Sequence, residues 1–302
     1  MLLIALLPLA LAARASATEP VGTVPRSAAG PPAPEQASAA GEGAAAAGPE
    51  ILLTFDDGPR LDLTPRVLEV LDRRGIKAVF FVNGWRFQGH SPEANKARAL
   101  LQDIMRRGHL VGNHTVHHLF LCGQRGPRIA EREIEDNAVL IEEATGMRPL
   151  LYRTPYGAHC PSLSATLRKL GIRSTGWDID PQDWRLRDPD KILAYMQQRL
   201  RVLRRRAIVL FHDVQPATVA ALPRLLDWID EENAARRAAG RPEIRYIDYG
   251  YLLPEYPIVP PIVDGLGRIL VDAVRRSPLP SLLPFSLRGH GRGDGSATIS
   301  PM

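Results

Sequence analysis

Short apolar segments alternate with longer amphipathic segments along the middle of the chain. Seven of the short segments are rich in β-branched and aromatic residues, and this composition predicts strands. They are Ile51–Phe55, Ala78–Val82, His109–Gly112, Leu150–Arg153, Ile172–Trp177, Ala207–Phe211 and Ile244–Asp248. Because these strands are apolar throughout rather than alternating, we expect a parallel sheet that is covered on both faces.

The segments between the strands carry apolar residues three and four positions apart, which predicts helices. The predicted helices are Thr64–Arg74, Ala94–Arg107, Ile129–Thr145, Leu163–Leu170, Lys191–Arg204 and Val219–Ala238. A repeated strand–helix order predicts an α/β fold. Seven or eight such units close most naturally into a TIM-like (β/α) barrel, and a doubly wound open sheet is the alternative.

The two ends of the chain differ in composition from this central part. Residues 1–17 contain an apolar stretch that leads to a small-x-small cleavage site at Ala17, which predicts a signal peptide and export. An uncleaved anchor is the alternative. Residues 18–48 are rich in Ala, Gly and Pro and are predicted to form a flexible linker. The folded domain is predicted at 49–254, followed by a Pro/Gly-rich extension at 255–302.

Composition and charge narrow the possible partners. The chain has 302 residues, 45% of them hydrophobic, which is enough for one domain with a full core. Its net charge of +5 rests on 34 Arg and 4 Lys that are spread along the chain, so we expect no nucleic-acid partner. We expect a monomer without a stable membrane span once the signal is cleaved. Export would permit a disulfide, and the only two cysteines, Cys122 and Cys160, either form one or remain buried thiols.

Reactive side chains occur at or just after the C-terminal ends of predicted strands, the active-site face of an α/β barrel. Asp56 and Asp57 follow the first strand, and adjacent acids in such a turn point in different directions. One can bind a metal while the other faces the attacking water. His114 and His118 have the i, i+4 spacing that places two imidazoles on one face of a helical turn. Two histidines and one carboxylate suit a catalytic zinc or another first-row ion.

Three further segments add polar groups at the same edge. Arg153 ends the fourth predicted strand, and the stiff turn after it can aim a backbone N–H into a pocket. Asp180 and Asp183 precede Trp184, whose ring is either part of the core or one wall of a sugar-binding pocket. His212 ends an apolar strand, where it is either a structural histidine or a general acid.

Together these segments resemble the polysaccharide deacetylase family, also called the NodB homology or carbohydrate esterase family 4 enzymes. The resemblance covers about Glu50 to Asp248 and rests on five segments in the family's order. They are Thr54-Phe55-Asp56-Asp57-Gly58-Pro59, His114-Thr115-x-x-His118, Arg153-x-Pro155-Tyr156, Asp180-x-x-Asp183-Trp184 and Leu210-x-His212. It implies a distorted barrel and a divalent ion, most often Zn²⁺, although Co²⁺, Ni²⁺ or other first-row ions can serve.

The resemblance also implies a role for each matching residue. Asp57, His114 and His118 would hold the metal, Asp56 would be the general base, and Arg153 would tether that base. Asp183 would orient His212 as the general acid. The substrate-binding residues would be Pro155, Tyr156 through its backbone N–H, Trp184 and Leu210.

The implied function is hydrolysis of N-acetyl groups, at carbon–nitrogen bonds, in a polysaccharide such as peptidoglycan, chitin or poly-N-acetylglucosamine. With the signal peptide, it places the protein in the cell envelope, the periplasm or outside the cell. Three alternatives stay open, which are an O-acetyl esterase of xylan-like polymers, a hydrolase of a small amide and an inactive carbohydrate-binding protein. A glycosidase is not expected, because it needs two carboxylates astride a sugar bond rather than histidine ligands.

Overall fold

The computed structural model describes residues 48–123 and 126–253. The predicted signal peptide, the linker up to residue 47 and the C-terminal extension lie outside the described residues, and these assignments stay predictions. Among the helices of the described part, none combines the length and the apolar composition that a membrane crossing needs.

In the part of the chain that the structure describes, a parallel sheet of five strands forms the centre of the fold. The strands are β1 (Glu50–Gly58), β2 (Val79–Val82), β3 (Leu110–Asn113), β4 (Arg206–His212) and β5 (Arg245–Tyr246). Their order is β3-β2-β1-β4, and β5 pairs with the start of β1. Because β1 is central and buried almost throughout, the residues at its C-terminal end have neighbours on both sides.

Seven helices accompany the strands within the described residues. They are α1 (Thr64–Arg73), α2 (Pro92–Arg106), α3 (Pro127–Thr145), α4 (Pro161–Leu170), α5 (Asp183–Leu186), α6 (Pro189–Val202) and α7 (Pro216–Ala238). All but the short α5 were predicted from the sequence, with ends that agree within a few residues. The six predicted helices each carry a proline in the first turn, where its fixed φ suits the helix and its missing N–H costs nothing.

The sheet closes into a distorted barrel through isolated bridges rather than full strands. Tyr152 pairs with Asn113 of β3 and with Ser174, and Ile179 pairs with Val209 of β4. The α/β barrel prediction is therefore confirmed.

The prediction of regular strands at Leu150–Arg153 and Ile172–Trp177 is wrong, because each segment makes isolated bridges only. The carbonyl groups of Thr175 and Gly176 accept hydrogen bonds from the Arg153 guanidinium instead of from a neighbouring strand. The Arg153 side chain thus binds two carbonyl groups that would otherwise be available to a regular strand ladder.

Alternate residues of β1 pack on opposite faces of the sheet, in two different clusters. Ile51, Leu53 and Phe55 pack in the large cluster between the sheet and the helices, whereas Leu52 belongs to a smaller cluster inside the barrel. The interior side continues through Thr54 to Asp56, so polar groups occupy the top of the barrel interior. The pairing register of β1 with β2 then shifts between Asp56 and Gly58, and this irregularity lies directly at the acidic pair.

The end of β1 packs tightly against a buried acid. A Cβ atom at Gly58 would lie 2.6 Å from Oδ2 and 2.7 Å from Oδ1 of Asp213. Asp213 is fully buried, accepts a hydrogen bond from the Thr64 hydroxyl, and burial raises its pKa to about 7. The space beside Gly58 is therefore filled by a carboxylate that cannot move into solvent.

Gly58→Ala is expected to lower the free energy of unfolding by about 1–3 kcal/mol, because the added methyl group overpacks this contact. Gly176→Ala is the matched control, since a Cβ there would have no heavy atom within 4 Å. Urea unfolding of both variants without metal measures the difference. Equal unfolding midpoints would show that the turn relaxes at no cost.

Candidate metal centre and active site

Three side chains from the C-terminal ends of β1 and β3 converge on one point, across the intervening strand β2. Asp57 Oδ1 lies 3.5 Å from His114 Nε2 and 3.3 Å from His118 Nε2. Each of the three residues offers one donor atom, and these atoms lie within 4.8 Å of one another. Asp57 Oδ1 is buried and has no hydrogen-bond partner among the described residues. A buried carboxylate oxygen between two imidazoles fits a divalent cation, because such a cation would supply the missing partner.

The hydrogen bonds of His114 leave its second nitrogen available to a metal. Nδ1 lies 2.8 Å from the backbone carbonyl of Arg153, which can only accept, so Nδ1 carries the proton. Nε2 is then the nitrogen with a free lone pair, and it faces Asp57. Burial lowers the pKa of His114 to about 3, which keeps the imidazole neutral, as a ligand must be.

The two histidines reach this position without the helical turn that the sequence predicts. Their ring centroids lie 4.9 Å apart, but the segment between them is irregular, and that part of the prediction is wrong. Thr115 has φ +69° and His118 has φ +53°, and both values interrupt a right-handed helix. The carbonyl groups of Thr115 and Val116 accept hydrogen bonds from the segment that follows β2, so they cannot serve an internal helix ladder.

His117 lies between the two histidines in sequence and binds Glu133. Its Nδ1 lies 2.7 Å from Glu133 Oε1, and its backbone N–H donates to Oε2 of the same carboxylate. The structure thus places His117 outside the three-residue cluster.

Asp56 is a buried carboxylate with one oxygen bound and the other directed to the cluster. Arg153 Nη1 donates to its Oδ1 at 2.8 Å, while Oδ2 lies 3.7 Å from His114 Nε2. Burial raises the pKa of Asp56, and the Arg153 guanidinium acts in the opposite direction. Asp56 and Asp57 both lie near His114. Their carboxylates are therefore closer together than we expected for adjacent residues that point in different directions.

His212 ends β4 directly opposite Asp56 in the pairing of β1 with β4. Its Nδ1 lies 2.7 Å from Oδ1 of Asp183, and its backbone N–H donates to Oδ2 of the same residue. Burial on its own lowers the pKa of His212, but the hydrogen bond and charge of Asp183, together with the charges of Asp56 and Asp57, raise it to about 9. His212 Nε2 faces the cluster, 4.0 Å from Asp57 Oδ2.

The remaining predicted residues belong to the segments that supply this centre. Tyr156 has φ +60°, and its exposed ring packs edge-on against His118 with a centroid distance of 4.5 Å. Trp184 is 47% exposed, whereas Leu210 and Pro155 are buried. Trp184 therefore lies on the surface rather than in the core.

Several contributing residues were not assigned roles from the sequence. The Thr54 hydroxyl accepts a hydrogen bond from Arg153, the Thr218 hydroxyl donates to Asp183, and Trp177 lies 5.6 Å from the Arg153 guanidinium. Thr54 could have been found from its place two residues before Asp56, on the same face of the strand. Nothing in the local sequence marks Thr218, because its partner is 35 residues away.

The two cysteines form a disulfide in this structure. Cys122 follows the histidine segment and Cys160 follows the turn that contains Tyr156, with 6.0 Å between their Cα atoms. The bond therefore joins the two loops that extend from β3 and from Arg153.

Comparisons with known proteins identify the family of this chain. The profile of the family described as polysaccharide deacetylase matches residues 44–175. The chain is 31% identical over 187 residues to peptidoglycan-N-acetylglucosamine deacetylase of Bacillus cereus, which covers 60% of this chain and 82% of that protein. This chain belongs to the polysaccharide deacetylase family. It is also 34% identical over 190 residues to YheN of Bacillus subtilis, covering 60% of this chain and 64% of YheN, just under two thirds of that relative.

Solved structures of the family share the fold. A family 4 carbohydrate esterase from Streptomyces lividans, in complex with acetate, is 30% identical with a TM-score of 0.52 over 61% of this chain and 88% of that chain. A family 4 acetyl xylan esterase from Clostridium thermocellum, in complex with a cobalt ion, is 25% identical. Its TM-score is 0.55 over 68% of this chain and 90% of that chain.

We expect the purified deacetylase-family chain to hold one divalent ion and His114→Ala to lose most of it, because the variant removes the buried neutral imidazole. His117→Ala is the matched control, since that imidazole binds Glu133 instead. Elemental analysis after mild purification measures metal per chain. The same metal content in wild type and His114→Ala would exclude His114 as a ligand.

Proposed function

We propose that this protein is a metal-dependent hydrolase that removes N-acetyl groups from a polysaccharide. The observation that carries the proposal is the convergence of three differently tuned groups on one point. These are a neutral histidine with a free nitrogen, a buried carboxylate tethered by Arg153, and a histidine whose pKa is raised. Amide hydrolysis needs one group of each kind.

Asp57, His114 and His118 would hold the divalent ion, with zinc or cobalt the first candidates. Bound there, the ion would lower the pKa of water and polarise the acetyl carbonyl. The protein's part is to supply one carboxylate and two imidazole donors in a half-buried setting, where His114 is already fixed by the Arg153 carbonyl. The cobalt ion reported for the acetyl xylan esterase supports a first-row ion in this fold.

Asp56 would accept the proton of the attacking water. Its Oδ1 is occupied by Arg153, so Oδ2, which faces the cluster, is the oxygen that can take the proton. Burial raises the pKa of Asp56 and makes that carboxylate a stronger base than an exposed aspartate, while the charge of Arg153 and its hydrogen bond favour the ionised form. The two opposing effects suit a base that must be charged and still reactive.

His212 would give a proton to the leaving nitrogen. Asp183 fixes the Nδ1 proton, so Nε2 is the position from which the second proton can leave toward the substrate. A pKa raised to about 9 keeps the imidazolium present at neutral pH. The backbone N–H of Tyr156, in a turn beside His118, would stabilise the oxyanion, and Leu210 would contact the acetyl methyl group.

The polymer is proposed to be a cell-envelope glycan. The relative from Bacillus cereus is named for peptidoglycan N-acetylglucosamine. The predicted signal peptide would bring this chain to the cell envelope, where such a glycan lies. The acetyl xylan esterase among the structural neighbours supports O-acetyl esters as the second candidate. Acetate release by the metal-loaded protein from peptidoglycan, N-acetylglucosamine oligomers and acetylated xylan separates the two.

Asp56→Asn is expected to keep the metal and to lower the rate of acetate release by about two to four orders of magnitude, because an amide cannot accept the proton. Asp190→Asn is the control, since that carboxylate is exposed on α6. Enzymatic acetate assay and metal analysis are made on the same samples. Near-normal turnover by metal-loaded Asp56→Asn would assign the base to another group.

Asp183→Asn is expected to move the alkaline limb of the kcat/KM profile to lower pH. A general acid must be protonated, so activity falls as pH rises through its pKa. Without the Asp183 charge, burial dominates and the pKa of His212 falls from its raised value near 9. A pH series on an N-acetylglucosamine oligomer measures the limb, and Asp190→Asn again serves as control. An unchanged limb would mean that His212 is not the titrating acid.

A further inference from the structure

Two loops at the edge of the candidate site are held together independently of the metal cluster. One follows β3 and contains His118, Leu119, Phe120 and Leu121, and the other contains Tyr156. The disulfide Cys122–Cys160 joins them just beyond these residues. The relative position of the two loops is thus fixed by a covalent bond.

Three rings from these loops form a continuous row, which we call the aromatic row (His118, Tyr156 and Phe120). The His118 and Tyr156 centroids lie 4.5 Å apart with an interplanar angle of 64°. The Tyr156 and Phe120 centroids lie 6.1 Å apart at 57°. Because His118 belongs to the metal cluster, the row leads from that cluster outward to Phe120.

Phe120 faces solvent at a position that its neighbours fix. Leu121 is buried and packs in the small cluster that includes Tyr152, Leu163 and, partly buried, both cysteines. Phe120 itself is 50% exposed, and Tyr156 is 66% exposed. A single exposed apolar side chain is ordinary on a surface. Phe120 differs, because the next residue, Leu121, is anchored in a core and a second exposed ring, that of Tyr156, lies beside it. The two rings therefore form a surface whose position is set before any ligand binds.

We propose that Phe120, with Tyr156, binds the sugar ring adjacent to the one that is deacetylated. This inference rests on the proposed function. The flat face of a pyranose carries C–H groups that pack on an aromatic ring, while its hydroxyl groups stay in water. The aromatic row runs from His118 through Tyr156 to Phe120, away from the position of the reacting acetyl group. The next sugar of a glycan chain would extend in the same direction.

The disulfide is a positioning element for this surface. It holds the Phe120 loop against the Tyr156 loop, so the two rings need not be ordered when the glycan arrives. The double variant Cys122→Ser/Cys160→Ser should therefore weaken glycan binding in the same direction as loss of the Phe120 ring. Metal content and thermal unfolding of the double variant show whether its cluster and fold are retained.

The test compares Phe120→Leu, which keeps apolar volume but removes the flat ring, with Phe120→Trp, which restores a ring. Val139→Ala is the control, because Val139 is an exposed apolar residue on α3. Calorimetry on Asp56→Asn protein measures the Kd of N-acetylglucosamine tetramer and monomer, and turnover of the corresponding proteins with Asp56 intact gives KM for both. Phe120→Leu should weaken tetramer binding about three- to tenfold and lower the tetramer-to-monomer ratio of kcat/KM, whereas Phe120→Trp should restore both.

Equal tetramer affinity in Phe120→Leu and in the Val139→Ala control would overturn the inference and leave the proposed function standing. An equal loss in Phe120→Leu and Phe120→Trp would also overturn it, because packing rather than the ring would then matter. Absence of acetate release from every glycan by the metal-loaded wild type is a separate result, and it would count against the proposed function itself.

Discussion

The buried Arg153 guanidinium is the contact on which the arrangement of the site depends. Its side chain is fully buried and donates to Thr54 and Asp56 of β1 and to the carbonyl groups of Thr175 and Gly176. Its own carbonyl group fixes the proton of His114. One residue therefore orients the candidate base and a candidate metal ligand together. A buried cation is costly unless it is paired and fully hydrogen-bonded, and here four acceptors and the face of Phe81 at 4.2 Å surround it.

The two buried histidines of the site have different pKa values because their Nδ1 atoms have different hydrogen-bond partners. His114 and His212 are both buried, and burial lowers the pKa of each. At His114 the Nδ1 partner is a neutral carbonyl, so burial dominates and the pKa falls to about 3. At His212 the partner is the Asp183 carboxylate, and the pKa rises to about 9. The same side chain can thus serve as a neutral ligand on one strand end and as an acid on another.

The sequence predicts the repeating part of this molecule well and its irregular part poorly. Periodicity located every described helix except the short α5. It also located the five strands of the sheet, because a covered parallel sheet requires apolar strands. It failed at Leu150–Arg153 and Ile172–Trp177, where Arg153 captures carbonyl groups that a strand ladder would use. It failed also at the His114–His118 turn, whose carbonyl groups bind another segment. In each case a contact distant in the sequence decided the local conformation.

These failures coincide with the candidate site for a physical reason. Six non-glycine residues of the described part have positive φ, and five of them lie within the segments that resemble the family. Those five are Asp57, Thr115, His118, Tyr156 and Gln182. Such backbone is unfavourable by about 1–3 kcal/mol per residue and persists only where surrounding contacts enforce it. A regular strand or helix would send neighbouring side chains to fixed faces, whereas these turns bring Asp56 and Asp57, and His114 and His118, toward one point. The site could therefore be located from which residues occur at the strand ends, but its shape depends on strain that the rest of the barrel sustains.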